Sequence, residues 1–154
     1  MQPISTSAAT AEDCAECATL LVEQLREHDI HVSAESLCRV LERVVADDQR
    51  GFVHLARADG RVVGVAYVAT ILSMEHVGPA AWLEELYVTP AWRQRGVGSA
   101  LVAAVLERAR AGGMVAVDLE IDAGQSRAAS LYERCGFQRL DRSRWTRKLT
   151  SGAA

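Results

Sequence analysis

A chain of 154 residues is long enough for one domain with a hydrophobic core, and a 49% hydrophobic content excludes a disordered chain. A formal net charge of -3 gives no support to a general nucleic-acid binder, which relies on a strongly basic surface. The first residues, MQPISTSAATAEDC, have neither a basic n-region nor an apolar h-region, and no apolar run approaches the ~20 residues of a membrane span. The expectation is therefore a cytoplasmic protein with no membrane or nucleic-acid partner.

In chain order, residues 3–9 read as a short strand. Thr10 is a helix N-cap, with Glu12 and Asp13 in the first turn, where carboxylates suit free amides. Leu21, Val22 and Leu25 carry an apolar stripe to about His28. A second helix starts near Ser33, with Leu37, Val40, Leu41, Val44 and Val45 at helical spacing, and Gly51 ends it. FVHLARA and RVVGVAYVATIL read as strands about an Asp59-Gly60 hairpin turn. Residues 73–81 read as a loop or strand end, and residues 82–88 as a strand that Pro90 ends. A third helix runs from about Val97 to Arg110 and stops at Gly112-Gly113.

MVAVDLEID then alternates, with Val115, Val117, Leu119 and Ile121 on one side and Asp118, Glu120 and Asp122 on the other. Residues 125–135 form a short helix stopped by Gly136. FQRL and WTRKL read as a final hairpin-like pair of strands. No repeat or linker interrupts residues 1–154. This order predicts one α/β domain around a mixed, mostly antiparallel sheet flanked by helices.

The four cysteines do not suggest a metal site. Cys14 and Cys17 have CxxC spacing, but no second CxxC or suitably spaced histidine accompanies them. Their apolar helical surroundings point to buried, reduced thiols.

The stretch TPAWRQRGVGS sits between a strand and a helix. Amides at a helix N-terminus lack internal partners, and glycines let an anion approach the backbone. Arg93 and Arg95 add positive charge, so the stretch reads as a phosphate site. The Walker pattern is excluded because Ser99-Ala100, not lysine and serine or threonine, follows Gly98. The dinucleotide fingerprint is excluded because its third glycine is missing.

The run Arg93-Gln94-Arg95-Gly96-Val97-Gly98, preceded by Tyr87-Val88 and Pro90, resembles the signature of the GNAT superfamily of acyl-CoA-dependent N-acyltransferases. Ala128 and Leu131-Tyr132-Glu133-Arg134-Cys135-Gly136-Phe137 resemble that family's late ALYER-GF block, in the expected order and separation. Gln125 stands where the family commonly has asparagine, and Gln94 replaces a frequent glycine.

The resemblance implies a GNAT-like domain whose fourth and fifth strands splay apart to form an acetyl-CoA cleft. Backbone groups of Leu86, Tyr87 and Val88 would hold the pantetheine arm, and amides of Arg95, Gly96, Val97, Gly98, Ser99 and Ala100 the pyrophosphate. Arg127 and Arg134 would meet the adenosine end or its 3′-phosphate, unless they are plain surface charges. The implied reaction is direct acetyl transfer to an amine in a ternary complex. A primary alkylammonium with a pKa of about 10 must first lose a proton.

Glu84 and Glu85 are the candidate bases. As strand neighbours they should face opposite sides, so only one is expected in the cleft. The family comparison favours Glu84, while Glu85 or a water chain stays open. Tyr132 matches the tyrosine that can protonate the departing thiolate, and the amide of Val88 is the candidate to polarise the carbonyl. Glu75, Glu84 and Glu85, with His28, Asp29 and His31 opposite, suggest a small cationic amine as acceptor. A protein or peptide acceptor remains an alternative, as does a non-catalytic acyl-CoA-binding sensor. The resemblance also suggests a homodimer, with the segment around Trp145 as its candidate contact. No metal is expected.

Overall fold

The computed structural model describes residues 3–150. Its elements are strand β1 (Ser5–Ala8), helices α1 (Cys14–Glu27) and α2 (Ala34–Val45), and strands β2 (Gly51–Ala58), β3 (Arg61–Ser73) and β4 (Gly78–Val88). Helix α3 (Val97–Ala111), strand β5 (Ala116–Leu119) and helix α4 (Ser126–Arg134) complete the order. Five strands form one sheet in the order β1-β2-β3-β4-β5. The first four are mutually antiparallel, and β5 lies parallel to β4. This is the mixed, mostly antiparallel sheet flanked by helices that the element order predicts.

Local signals explain most boundaries. The backbone amide of Thr10 donates to Asp13 Oδ2 at 2.8 Å, tying the chain into the turn that precedes α1. Ser33 Oγ accepts from the amide of Ser36 at 3.1 Å and caps α2. Asp59 and Gly60 both adopt positive φ, 53° and 73°, as the tight β2–β3 turn requires.

The sheet separates two apolar clusters. On one face, Leu101, Val102 and Val105 of α3 pack on Phe52, Ala66, Val68 and Leu83. On the other, Cys14, Cys17 and Leu21 of α1, with Leu41 and Val44 of α2, pack on Val53, Leu55, Val65 and Tyr87. Burial pushes the Cys17 thiol up to about 12, so it behaves as a small core side chain. Gly64 lets α3 lie directly on β3: a Cβ there would stand 2.9 Å from Leu101 Cδ1 and 3.2 Å from the carbonyl oxygen of Tyr87. The position of α3, and so of its N-terminus, depends on that contact.

Three boundaries differ from the sequence expectation. Strand β4 begins at Gly78 rather than at residue 82, because Gly78–Ala81 pair with Thr70–Ser73 of β3. Small residues and a proline conceal this part of the strand, and pairing with β3 on one side and β5 on the other orders it. Strand β5 is shorter than its alternating pattern, ending at Leu119, where β4 no longer accompanies it. Residues 137–148 contain neither of the two expected final strands. Phe137 instead packs edge-on against the Tyr132 ring, with centroids 5.6 Å apart. The segment beyond it is exposed, and Arg142 and Arg144 are drawn to Glu75 and Glu120.

Candidate active site

Two irregularities in the sheet create a cleft. Strand β5 pairs with β4 only as far as Leu83–Leu119, whereas β4 continues to Val88 along β3. The last five residues of β4 therefore have an open edge. Between Tyr67–Glu85 and Val68–Leu83 the β3–β4 register shifts, leaving Glu84 as the extra, bulged residue. Along this stretch lies an open cleft of about 1070 Å³, lined by β4, the C-terminal end of α1, the N-terminus of α3, and α4.

The open edge presents backbone groups. In an antiparallel ladder, alternate residues point both N–H and C=O away from the partner. The carbonyl of Leu86 accepts from Gln24 Nε2 of α1 at 3.3 Å, and that of Val88 accepts from Arg93 Nε at 2.8 Å. Both carbonyls thus face away from β3, and the amides of Leu86 and Val88 point to the same open side.

At the far end of this edge α3 begins. Gly96 holds φ +82°, the left-handed conformation that glycine adopts without strain. The amide of Ala100 bonds to the carbonyl of Gly96 at 3.0 Å, so the amides of Val97, Gly98 and Ser99 precede the helical ladder. Among the described residues no side chain caps this end, and its first turn carries no acid. Positive partial charge is left facing the cleft, the arrangement an anion needs.

Acid–base chemistry is concentrated at the other end. Glu85 is half-buried, and its carboxyl is raised from 4.5 to about 7 by desolvation first and the charge of Glu84 second. Positive charge on His28 and Arg144 opposes the rise. Tyr132 of α4 is 9% exposed, and burial, followed by Cys135 and Glu85, raises its phenol to about 12. Near neutral pH the cleft thus contains a carboxylate able to take a proton and a phenol that keeps one. His28 Nδ1 lies 2.5 Å from Asp122 Oδ2, linking the end of α1 to the loop after β5 across this part of the cleft.

The sequence matches the acetyltransferase (GNAT) family over residues 15–137. The chain belongs to the GNAT family. It is 39% identical over 103 residues to an aminoglycoside N(6')-acetyltransferase type 1 of Stenotrophomonas maltophilia, covering 62% of this chain and 65% of that relative. It is 32% identical over 97 residues to a mycothiol acetyltransferase of Paenarthrobacter aurescens, covering 61% of this chain and 29% of that one. These matches span less than two thirds of either relative's length.

The fold is similar to that of the aminoglycoside N-acetyltransferase AAC(6')-Iy in complex with CoA. That likeness has a TM-score of 0.83 at 20% identity and covers 97% of both chains. An integron cassette protein from the Cole Harbour Salt Marsh metagenome gives a TM-score of 0.84, also at 20% identity, over 96% of this chain and 91% of that one.

Within this GNAT domain most residues singled out from sequence converge on the cleft. Glu84, Glu85, Leu86, Tyr87, Val88, Tyr132 and Gln125 line it, as do Gln94, Gly96, Gly98, Ser99, Arg127 and Arg134. Both glutamates do so, correcting the expectation of only one: the bulge at Glu84 breaks the strand's alternation. Val97 instead points into the core at 1% exposure, and Arg95 stacks over the Trp92 ring at 5.1 Å.

Arg93 is committed as a brace, donating to Glu27 at 2.9 Å and to the carbonyl of Val88. Glu75 does not line the cleft. Arg142 holds it in a two-point ion pair at the β3–β4 turn, so it leaves the acidic wall proposed from sequence. Asp29 and His31 pair with each other on the surface, leaving His28 from that group at the cleft. Sequence reasoning overlooked Gln24, Glu120, Asp122 and Arg144 as cleft residues. The acidic side of the β5 alternation was the one available signal, for Glu120 and Asp122.

Proposed function

We propose that this GNAT-family protein is an N-acetyltransferase that moves an acetyl group from acetyl-CoA to a primary amine of a small cationic metabolite, by direct transfer in a ternary complex. The observation that carries this reading is the pairing of Glu85, poised near neutral pH, with the protonated phenol of Tyr132 beside the open edge of β4. The uncapped N-terminus of α3 suits the cosubstrate's pyrophosphate, and the free amides of Leu86 and Val88 suit its amide-bearing arm.

Glu85 accepts a proton from the acceptor's ammonium group, directly or through water. The neutral nitrogen attacks the thioester carbonyl, whose oxygen gains negative charge near the amide of Val88. As the carbon–sulfur bond breaks, the Tyr132 hydroxyl donates a hydrogen bond or proton to the departing sulfur. Glu85 replaces Glu84 as the preferred base because Glu85 is half-buried and its carboxyl is raised to about 7, whereas Glu84 is exposed. The relatives named for aminoglycoside and mycothiol acetylation support a small-molecule acceptor.

The test is acetyl-CoA-dependent thiol release across a panel of polyamines, aminoglycosides, amino sugars, amino acids and short peptides, with a no-acceptor control. Release dependent on small cationic amines supports the reading. Release with peptides alone would assign a protein or peptide acceptor. Acetyl-CoA binding without release across the panel would favour a sensor role.

A further inference from the structure

The residues that follow Phe137 form a strap held by charge rather than by packing. Leu140, Trp145 and Leu149 are 58%, 91% and 90% exposed, so the segment buries little apolar surface. Two arginines attach it. Arg142 reaches Glu75 with both terminal nitrogens at 2.8 Å, and Arg144 Nη1 lies 3.5 Å from Glu120 Oε1. Only the second of these contacts lies in the cleft, where Arg144 joins Glu84, Glu85 and Glu120.

The two attachments differ in kind. Both pairs are substantially exposed, but the Arg142 pair has close, two-point geometry, whereas the Arg144 contact is single and long. The outer pair can anchor the strap while the inner one exchanges. We propose that the Arg144 guanidinium is a tethered counter-ion seated at the acceptor end of the cleft, and that a multiply charged cationic amine displaces it from Glu120 on binding. Arg144 then sets acceptor selectivity. A monoamine whose one nitrogen is directed to Glu85 leaves the Arg144–Glu120 pair intact. An acceptor with a second ammonium group gains Glu120 as a partner, at the cost of releasing Arg144. His28 Nδ1 likewise contacts the neighbouring Asp122.

This inference rests on the acetyltransferase reading only for its kinetic arm. Binding of 1,4-diaminobutane, an aminoglycoside and butylamine would be measured by calorimetry at low ionic strength, on wild type and on the Arg144→Gln, Arg144→Lys and Glu120→Gln variants. Arg144→Gln should tighten binding of the diamine and the aminoglycoside by roughly two- to fivefold, the range of an exposed ion pair. Butylamine should change less, and Arg144→Lys should behave as wild type. Glu120→Gln should weaken the same two ligands and abolish the benefit of Arg144→Gln in the double variant.

Unchanged or weaker binding of both polycations to Arg144→Gln overturns the proposal. So does equal tightening for all three amines, or an effect that survives loss of Glu120. In thiol-release kinetics the same selectivity should appear in the ratio of kcat/KM for the diamine to that for butylamine. If binding shifts as described but no amine supports release, the acetyltransferase reading fails and the counter-ion role stands.

Discussion

In the proposed mechanism Glu85 links activity to stability through one proton. Its carboxyl ionises at about 7 in the fold instead of 4.5, mainly because burial disfavours the charge. The folded chain therefore holds this proton to higher pH than the unfolded chain does. The contribution of Glu85 to stability falls as pH rises from 4.5 to about 7 and stays lowered above that. Glu85→Gln cannot titrate, so its melting temperature should gain on wild type across that window, as calorimetry at pH 4.5 and pH 8 would show. The same variant should lose roughly 10²-fold or more in kcat/KM. It should also lose the rising limb near pH 7 from its pH–rate profile, and a limb that persists would move the base to Glu84 or to water. Tyr132→Phe should slow turnover by roughly 10²-fold while acetyl-CoA affinity stays within about twofold. Equal kcat for both proteins would remove the hydroxyl from the mechanism.

Among the elements, the proposed mechanism assigns the anion site to α3 and the reacting edge to β4. Gly98 lies in the first turn of α3, and a Cβ there would stand 3.3 Å from Leu131 Cδ2 of α4. A bulky residue at this position crowds both the helix N-terminus and the wall formed by α4. Gly98→Leu is therefore expected to weaken acetyl-CoA binding about tenfold or more, the loss of one strong hydrogen bond, with far-UV circular dichroism unchanged. Affinity equal to wild type would sink the pyrophosphate assignment. In β4 the single-residue bulge decides that two consecutive glutamates share one cleft. Charge on Glu84 then helps raise Glu85, so Glu84→Gln should shift the limb near pH 7 downward without removing it.

For the whole molecule, the cleft exists because α3 holds its place on the sheet while β5 separates from β4. Gly64 is the contact through which that placement can be tested. Gly64→Ala pushes a methyl group against Leu101, Val97 and the backbone oxygen of Tyr87. It should cost roughly 1–3 kcal/mol in denaturant unfolding and weaken acetyl-CoA binding as well, although Gly64 does not line the cleft. Lowered stability with unchanged affinity would show that the α3 N-terminus keeps its position independently of this contact.

Features with local causes were legible in the chain alone. The Asp59-Gly60 turn follows from a two-residue loop that demands positive φ, and α3 from glycines placed before an apolar helical stripe. The GNAT resemblance was carried by residues 93–98 and 128–137 because short backbone motifs leave a contiguous trace. Features that depend on partners distant in the chain emerge on folding. The bulge at Glu84 arises from pairing with β3, and the removal of Glu75 from the acidic wall follows from Arg142, 67 residues away. The fate of residues 137–148 belongs here too. Their pattern suits strands, yet they add to no edge of the sheet, and arginines in the segment reach carboxylates on other elements instead. The burial that raises Glu85 is a property of the assembled cleft, and no spacing of residues along the chain encodes it directly.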